Sequence, residues 1–590
     1  MCECTLSAQE QQAAELDMLR HSTAHLMAAA LIKLYPGVKF GVGPAIEDGF
    51  YYDVMLPGDK KLSTDDLAAI EDTMRQIAKQ NLPLIRTEVT RAEAEAQFTD
   101  QPFKEELIAE LPEGETITTY TLGDFVDLCR GPHVNYTSKL KHFKLTKVAG
   151  AYWRADASRE QLQRLYGTAW KTADELASYL TFIEEAEKRD HRRLGKELDL
   201  FSFNELAGPG LPFYHPKGAR TLRLLQDWLR KELIARGYVE VITPHIYKSD
   251  MWKMSGHYDH YKNDMFFFNV EEGQDNEGNP RIVEYGVKPM NCPGHVMVYS
   301  ANLHSYRDLP MRIFEFGTVY RNEMSGVVHG LMRARGFTQD DAHVLVRPDQ
   351  VHAEVLGMLD LVDYVMGTFG FSYTAELSTR PEDSIGTDEM WELATSALRD
   401  ALEEREIPYE INEGDGAFYG PKIDIKLRDA IGRIWQCSTI QFDGNMPGLF
   451  GAEYRTAENT AETPYMLHRA ILGSMERFFG ILLEHYNGAL PTWLMPTQAV
   501  VVPISEDQNE AARGVAAELT AAGLRVEVDE ANERMNAKIA RAQSMRIPYM
   551  LVLGKREAES GEVSVRHRAD GDLGAMAVSA VADKILSEHP

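Results

Sequence analysis

No stretch of this chain approaches the roughly 18 consecutive apolar residues of a membrane helix, and its first ten residues, MCECTLSAQE, hold neither a basic region nor an apolar run. Neither a membrane anchor nor a secretory leader is therefore expected. Cysteine is scarce: five in 590 residues, odd in number and scattered. That excludes a disulfide framework and fits a reducing cytoplasm. Basic charge is in deficit, with 62 Lys and Arg against 90 Asp and Glu, a net charge of -28. A chain this acidic does not hold nucleic acid through its overall field. A nucleic-acid partner would have to meet local basic tracts, of which Ser138 to Lys147 and Glu187 to Lys196 are the candidates. Solvated faces are the alternative reading of both.

What is present divides into about four domains at roughly 150 residues each. The most informative stretch runs from Arg312 to His343. Ile313, Phe314, Phe316, Val319 and Tyr320 alternate like a half-buried strand. A glycine-containing loop follows, and Arg335 to Val346 reads as a second strand, so a long-looped antiparallel hairpin is predicted. Its polar load is unusual: Arg321, Glu323, Arg333, Arg335, Gln339, Asp340, Asp341 and His343 lie on or beside it. Guanidinium forks suit the oxygens of a polyphosphate; surface salt bridges on a solvated sheet are the other reading.

Residues 11 to 35 read as a helix with His21 and His25 four apart, hence on one face. Cys129 and His133 repeat that spacing across a Gly-Pro turn about a hundred residues later. Together they would offer four zinc-type ligands, or be unrelated core and surface residues. Residues 38 to 56 read as strands around glycines, and 172 to 198 as one charged bridging helix. An amphipathic helix from Ala219 to Arg236 ends at Gly237, and Pro244 interrupts the strand after it, which places that strand at an edge or bend. GAFYGPKIDIKL and RIWQCSTIQFD read as an antiparallel pair. Beyond residue 493, strands alternate with helices, which predicts a mainly parallel sheet.

Phe316-x-x-Val319-Tyr320-Arg321-Asn322-Glu323, followed by HGLMRARGFTQDDAH ending at His343, resembles the second signature motif of class II aminoacyl-tRNA synthetases, in the form seen in threonyl-tRNA synthetases. HSTAHL (from His21) and LCRGPH (to His133) resemble the editing-domain motifs of the bacterial members. The resemblance implies hydrolysis of seryl-tRNA without a bound metal, with His21, His25, Cys129 and His133 positioning water and ester, and Lys104 and Asp127 as neighbours. It implies one zinc per subunit on Cys292 (not His295), His343 and His468, three ligands too far apart in sequence for any compact motif. Asp341 would take the threonine amino group, with Met290, Gln339, Tyr419, Lys422 and Gln441 around the amino acid.

For ATP with Mg2+, the resemblance implies Arg321 on the alpha-phosphate, Glu323 on the adenine amino group and Phe337 stacked on the ring. Arg333 and Arg477 would hold the gamma-phosphate or cover the adenine, and Gln436 and Thr439 would meet the adenosine; Arg321 and Arg477 are the catalytic pair. Glu476-Arg477 matches the third class II motif, with a sparse glycine lead-in. The helix, strand and proline near Pro244 match the first motif, which implies a homodimer. Glu559, Arg566 and Arg568 are candidate anticodon contacts.

The expected architecture is multidomain α+β and α/β: an editing domain over 1–171, a helical linker over 172–199, a class II catalytic domain over 200–492 and an α/β anticodon-binding domain over 493–590. No ubiquitin-like domain is expected ahead of His21. The expected partners are tRNA(Thr), ATP and L-threonine, with no membrane. A prolyl-type synthetase and a catalytically silent RNA-binding regulator are the competing readings. The metal set and the HSTAH/CRGPH pair speak against the first, and the retained Arg321, Glu323 and Arg477 against the second.

Overall fold

The computed structural model describes residues 8–590 except positions 59 and 157; the start read as leaderless lies largely outside the described residues. The chain forms two compact units, up to Glu184 and from Glu185 onward.

In the first unit a helix over Ala8–Leu34 buries Leu26, Met27 and Leu31 completely. They pack with Phe50, Tyr52, Leu145 and Leu165 of an antiparallel sheet. That sheet runs Lys39–Phe40, Gly49–Met55, Gln161–Trp170, His142–Tyr152, with Ala45–Ile46 paired beside Gly49–Met55. A second, three-stranded sheet runs Ile85–Val89, Ile117–Leu122, Phe125–Leu128. Its last strand ends one residue before Cys129 and carries Asp127. Helix and strand together bring HSTAH and CRGPH into one place.

The second unit is built on an eight-stranded sheet. Its strands are, in chain order, β1 (Tyr238–Glu240), β2 (Met311–Tyr320), β3 (Gly336–Val346), β4 (Ser372–Ser378), β5 (Tyr409–Asn412), β6 (Lys422–Arg428), β7 (Ile434–Asp443) and β8 (Tyr465–Ala470). Their order in the sheet is β1-β2-β3-β8-β7-β6-β4-β5. The two outermost pairs are parallel and the rest antiparallel. The predicted hairpin is β2–β3, with Ile313 opposite His343 and Val319 opposite Phe337. Successive strand residues face opposite ways. Phe337, Gln339, Asp341 and His343 therefore share one face, while Ala342, Val344 and Val346 join the core on the other. Helices Pro216–Ala235, Val351–Thr368, Asp388–Glu404 and Met475–His485 supply much of the rest of that core.

Pro244 does interrupt a strand. β1 stops at the sheet edge, and Ile246–Lys248 pairs instead with Pro280–Val287 in a separate small sheet. Two expectations need correction. The bridging helix is broken into Ala173–Lys188 and His191–Glu197, because Asp190 leaves helical geometry and its carboxylate caps the Arg192 N–H at 2.8 Å. The C-terminal sheet is mixed rather than mainly parallel. Val526–Val528, Ala499–Pro503 and Tyr549–Leu553 are parallel neighbours, but Glu562–His567 and Gly571–Ala577 add on antiparallel. The link from Leu553 to Glu562 holds only the short helix Lys555–Ser560, less than the dozen or more residues a parallel crossover takes.

Candidate active site

The pocket face of the large sheet opens into a cavity of about 540 Å³. Every residue assigned above to ATP or threonine lines it, as do Cys292 and His468. The sheet register explains the convergence. Lys422 stands opposite Gln441, Gln441 opposite His468, and His468 opposite His343. Gln436 has the wrong parity for this face. A bulge between the Asp424–Thr439 and Lys426–Gln436 pairs returns it to the cavity side.

At the end where the resemblance puts the nucleotide, Arg321 lies over Phe337, its guanidinium carbon 5.2 Å from the ring centroid. Glu323 accepts from Arg333 Nε at 3.0 Å, and its carbonyl accepts from Arg335 at 2.8 Å. Arg477 sits in the first turn of a helix capped by Ser474; its Nε is buried without a partner. The adjoining Glu476 is not a surface charge. It is 5% exposed, accepts the Thr338 N–H at 2.7 Å, and burial raises its pKa to about 7. Of the two neighbouring aspartates, Asp341 faces the cavity. Asp340 faces the core, where it takes Arg469 and the N–H groups of Ile471 and Leu472.

At the opposite end of the cavity, Tyr419 donates to Gln441 at 2.7 Å. Burial works against the Lys422 ammonium, but Asp424 at 2.9 Å and Asp415 at 3.1 Å more than offset it and raise its pKa. Burial also raises Asp341, and Asn291 donates to it at 3.0 Å. Asn291, Glu315, Asp443 and His295 carry no role in the sequence reading. His295 had a legible signal, since one helical turn from Cys292 places both on one face.

Cys292, His343 and His468 bring their ligand atoms within 4.8 Å of one another. His468 Nε2 lies 3.2 Å from Asp443, which assigns its proton there and leaves Nδ1 as an acceptor. His295 Nε2 lies 3.2 Å from Glu315, and its Nδ1 is 2.8 Å from His343 Nδ1. With all three rings neutral, His343 donates to His295. Its Nε2 lone pair then faces the His468 Nδ1 lone pair at 2.9 Å. The arrangement asks for one positive charge between them. Burial opposes a proton on His343, pushing its pKa far down, and also pushes the Cys292 thiol well up. A divalent cation satisfies both imidazoles and ionises the thiol, so the donor set fits a metal of the zinc type.

The N-terminal cluster also converges: His21, His25, Cys129 and His133 lie within the same 4.8 Å limit. Cys129 Sγ is 3.3 Å from His21 Nε2 and 3.2 Å from His133 Nε2. Burial raises the thiol to about 12 and lowers His21 to about 4. Ser22 gives its proton to Met18, so His133 Nδ1 donates to Ser22 at 3.1 Å. His25 donates to Asp127 at 3.1 Å, and its other nitrogen is buried without a partner. Burial alone would raise Asp127, but Lys104 and His25 hold it below the usual carboxylate range. Lys104 and Tyr52 both touch that carboxylate. Gly131 lets the turn close, because a side chain there would meet the Tyr120 hydroxyl at 2.3 Å.

Three stretches match known family models. Residues 268–486 match the tRNA synthetase class II core domain (G, H, P, S and T), 498–588 an anticodon binding domain, and 117–166 the threonyl and alanyl tRNA synthetase second additional domain. The chain is 52% identical over 571 residues to the threonine–tRNA ligase of Caldanaerobacter subterraneus subsp. tengcongensis, covering 96% of this chain and 86% of that one. It is equally identical over 569 residues to the enzyme of Geobacter sp. strain M21, covering 96% and 87%. The chain belongs to the threonine–tRNA ligase family. Among solved structures, the RNA binding domain of threonyl-tRNA synthetase from Cryptosporidium parvum matches with a TM-score of 0.65 and 43% identity, over 68% of this chain and 98% of that one. The putative threonyl-tRNA synthetase ThrRS-1 of Aeropyrum pernix matches at 0.59 and 30%, over 68% and 96%. The ligase thus carries a class II synthetase core, and the match over 117–166 takes in Cys129 and His133.

Elsewhere in the ligase, the anticodon candidates stand apart. Glu559 and Arg566 are exposed. Arg568 is half-buried, and its guanidinium donates to the carbonyls of Arg546, Ala489 and Leu490. Among the described residues no helix is long and apolar enough to cross a membrane. In the Glu187–Lys196 tract, Lys188, Arg192 and Arg193 already pair with Glu185, Asp190 and Glu197, which favours the solvated-face reading.

Proposed function

We propose that this ligase activates L-threonine with ATP, transfers it to tRNA(Thr), and clears mischarged seryl-tRNA(Thr) at its N-terminal cluster. The observation that carries the reading is the single cavity lined by the two motif arginines, the adenosine-facing and threonine-facing residues, and two of the three metal donors. The threonine carboxylate attacks the alpha-phosphorus of ATP. The P–O bond to pyrophosphate breaks and threonyl-adenylate remains. Arg321 would bind the alpha-phosphate oxygens as charge grows on them, with Arg333 and Arg477 on the outer phosphates where Mg2+ would accompany them. Phe337 and Glu323 hold the adenine, Gln436 and Thr439 the adenosine. A tRNA hydroxyl then attacks the carbonyl and AMP leaves.

Cys292, His343 and His468 would hold one zinc per subunit, with Asp341, Met290, Gln339, Tyr419, Lys422 and Gln441 around the amino acid. Such a zinc, keeping an open position, would recognise the side-chain hydroxyl, which valine lacks. Serine differs from threonine by one methyl, worth about 1–3 kcal/mol, too little for strict discrimination without a second sieve. At that sieve, His21, His25, Cys129 and His133 position a water and the ester, with no metal required.

The domain limits we favour are 1–171, 172–199, 200–492 and 493–590. Val239 exposed on the edge strand β1, with Ile242 just beyond it 89% exposed, supports a homodimer through that edge. Glu559 and Arg566 remain the anticodon candidates, Arg568 being engaged with backbone carbonyls, and the cytoplasm is the expected compartment. Threonine-dependent ATP–pyrophosphate exchange tests the reading; preferential activation of serine or proline would reject it.

A further inference from the structure

His191 belongs to none of the motifs above, yet it is completely buried at the start of the helix His191–Glu197. Its Nδ1 lies 2.6 Å from Glu484 Oε1, and its backbone N–H donates to the same oxygen at 3.0 Å. The second Glu484 oxygen is held by Arg433 at 2.6 Å. With Nδ1 donating to a carboxylate, Nε2 is fixed as an acceptor, and it takes the backbone N–H of Leu331 at 3.0 Å. Asp190, His191 and Glu484 lie close enough together to suggest a cation site. Both His191 ring nitrogens are already engaged, however, so the cluster is a strut rather than a metal centre.

What the strut grips is the loop between β2 and β3. His329 and Arg333 close a turn there, His329 N–H to the Arg333 carbonyl at 3.0 Å. Leu331, Met332 and Arg333 from that turn line the large cavity. Gly330 sits at φ +51°, and a Cβ on it would lie 2.2 Å from His191 Nε2. The imidazole therefore occupies the space a side chain would need. We propose that His191 is a positioning residue for nucleotide binding: it pins the Leu331 amide so that the turn presents Arg333 to the ATP phosphates. This rests on the reading of Arg333 as a phosphate contact.

The test is His191→Asn in the full-length chain, since asparagine keeps a donor near Glu484 but is too short to accept from Leu331. A lost buried hydrogen bond predicts that KM for ATP in threonine-dependent exchange rises about tenfold, with kcat and KM for threonine within about twofold. Amide exchange across Leu331 to Arg333 should accelerate in the same variant. That readout checks the tether even if the wild-type chain activates some other amino acid. Gly330→Ala attacks the contact from the loop side with His191 intact; it should give the same split, and the double variant should be less than additive. An unchanged KM for ATP in either folded variant, or an equal rise in KM for threonine, would overturn the proposal. So would unaltered amide exchange.

Discussion

Two clusters in this molecule are assembled from the same parts. Each has three imidazoles and one thiol, and each has one histidine backed by a carboxylate that a lysine also holds. In the first unit that chain is His25–Asp127–Lys104; in the second it is His295–Glu315–Lys288. Composition therefore does not separate them; proton placement and access do. At Cys129 a thiol that burial keeps protonated sits between two imidazole nitrogens and can donate to one of them. Cys129 and His21 are also partly exposed, and a groove of about 180 Å³ reaches Cys129. At His343 two lone pairs face each other in a buried site where a proton is disfavoured. The first arrangement suits handling water; the second suits holding an ion.

The comparison breaks most sharply at the thiols. Cys292→Ala should weaken zinc binding by well over the roughly 100-fold that losing an outer partner costs, while Cys129→Ala leaves metal content unchanged. Metal analysis after chelator competition reads both, and zinc lost equally from each variant would erase the distinction. Next, His21→Ala should slow seryl-tRNA deacylation about 100-fold, the lower end for a general acid–base group, with threonylation intact. Full retention of deacylation would remove the N-terminal site. His295→Gln sharpens the contrast from behind the ligands. Zinc affinity should fall about tenfold without any change in deacylation.

The smallest effect is a pH dependence. His21 titrates at about 4 when folded against about 6.5 when unfolded. Below pH 6.5 the unfolded chain binds the extra proton, so the cluster's stability is fully present above that pH and declines as pH falls toward 4. Hydrogen exchange of the Ala8–Leu34 helix in the intact chain should show the decline, and His21→Ala should flatten it.

Much of this was legible before any coordinates. Alternation over Ile313 to Tyr320 and the strand-like run from Arg335 to Val346 gave the hairpin, and the HxxxH spacing placed His21 and His25 on one helical face. The proposed metal donors were legible only through family resemblance, since nothing local links Cys292 to His468. What stayed hidden depended on tertiary neighbours. His191 looks like one more residue of a charged helix until the β2–β3 loop is laid against it. Asp190 reads as a helix residue until its carboxylate turns back to cap. Arg568 reads as a surface charge for anticodon contact until three carbonyls are found around it.

The extra residue in β7 has a consequence for how this enzyme can change over time. Upstream of it the strand counts its faces out of step with the stretch beyond, and only that offset turns Gln436 toward the cavity. Swapping one side chain there alters one contact. Deleting a single codon would flip the whole upstream half of the strand, so the segment should drift in spelling far more readily than in length.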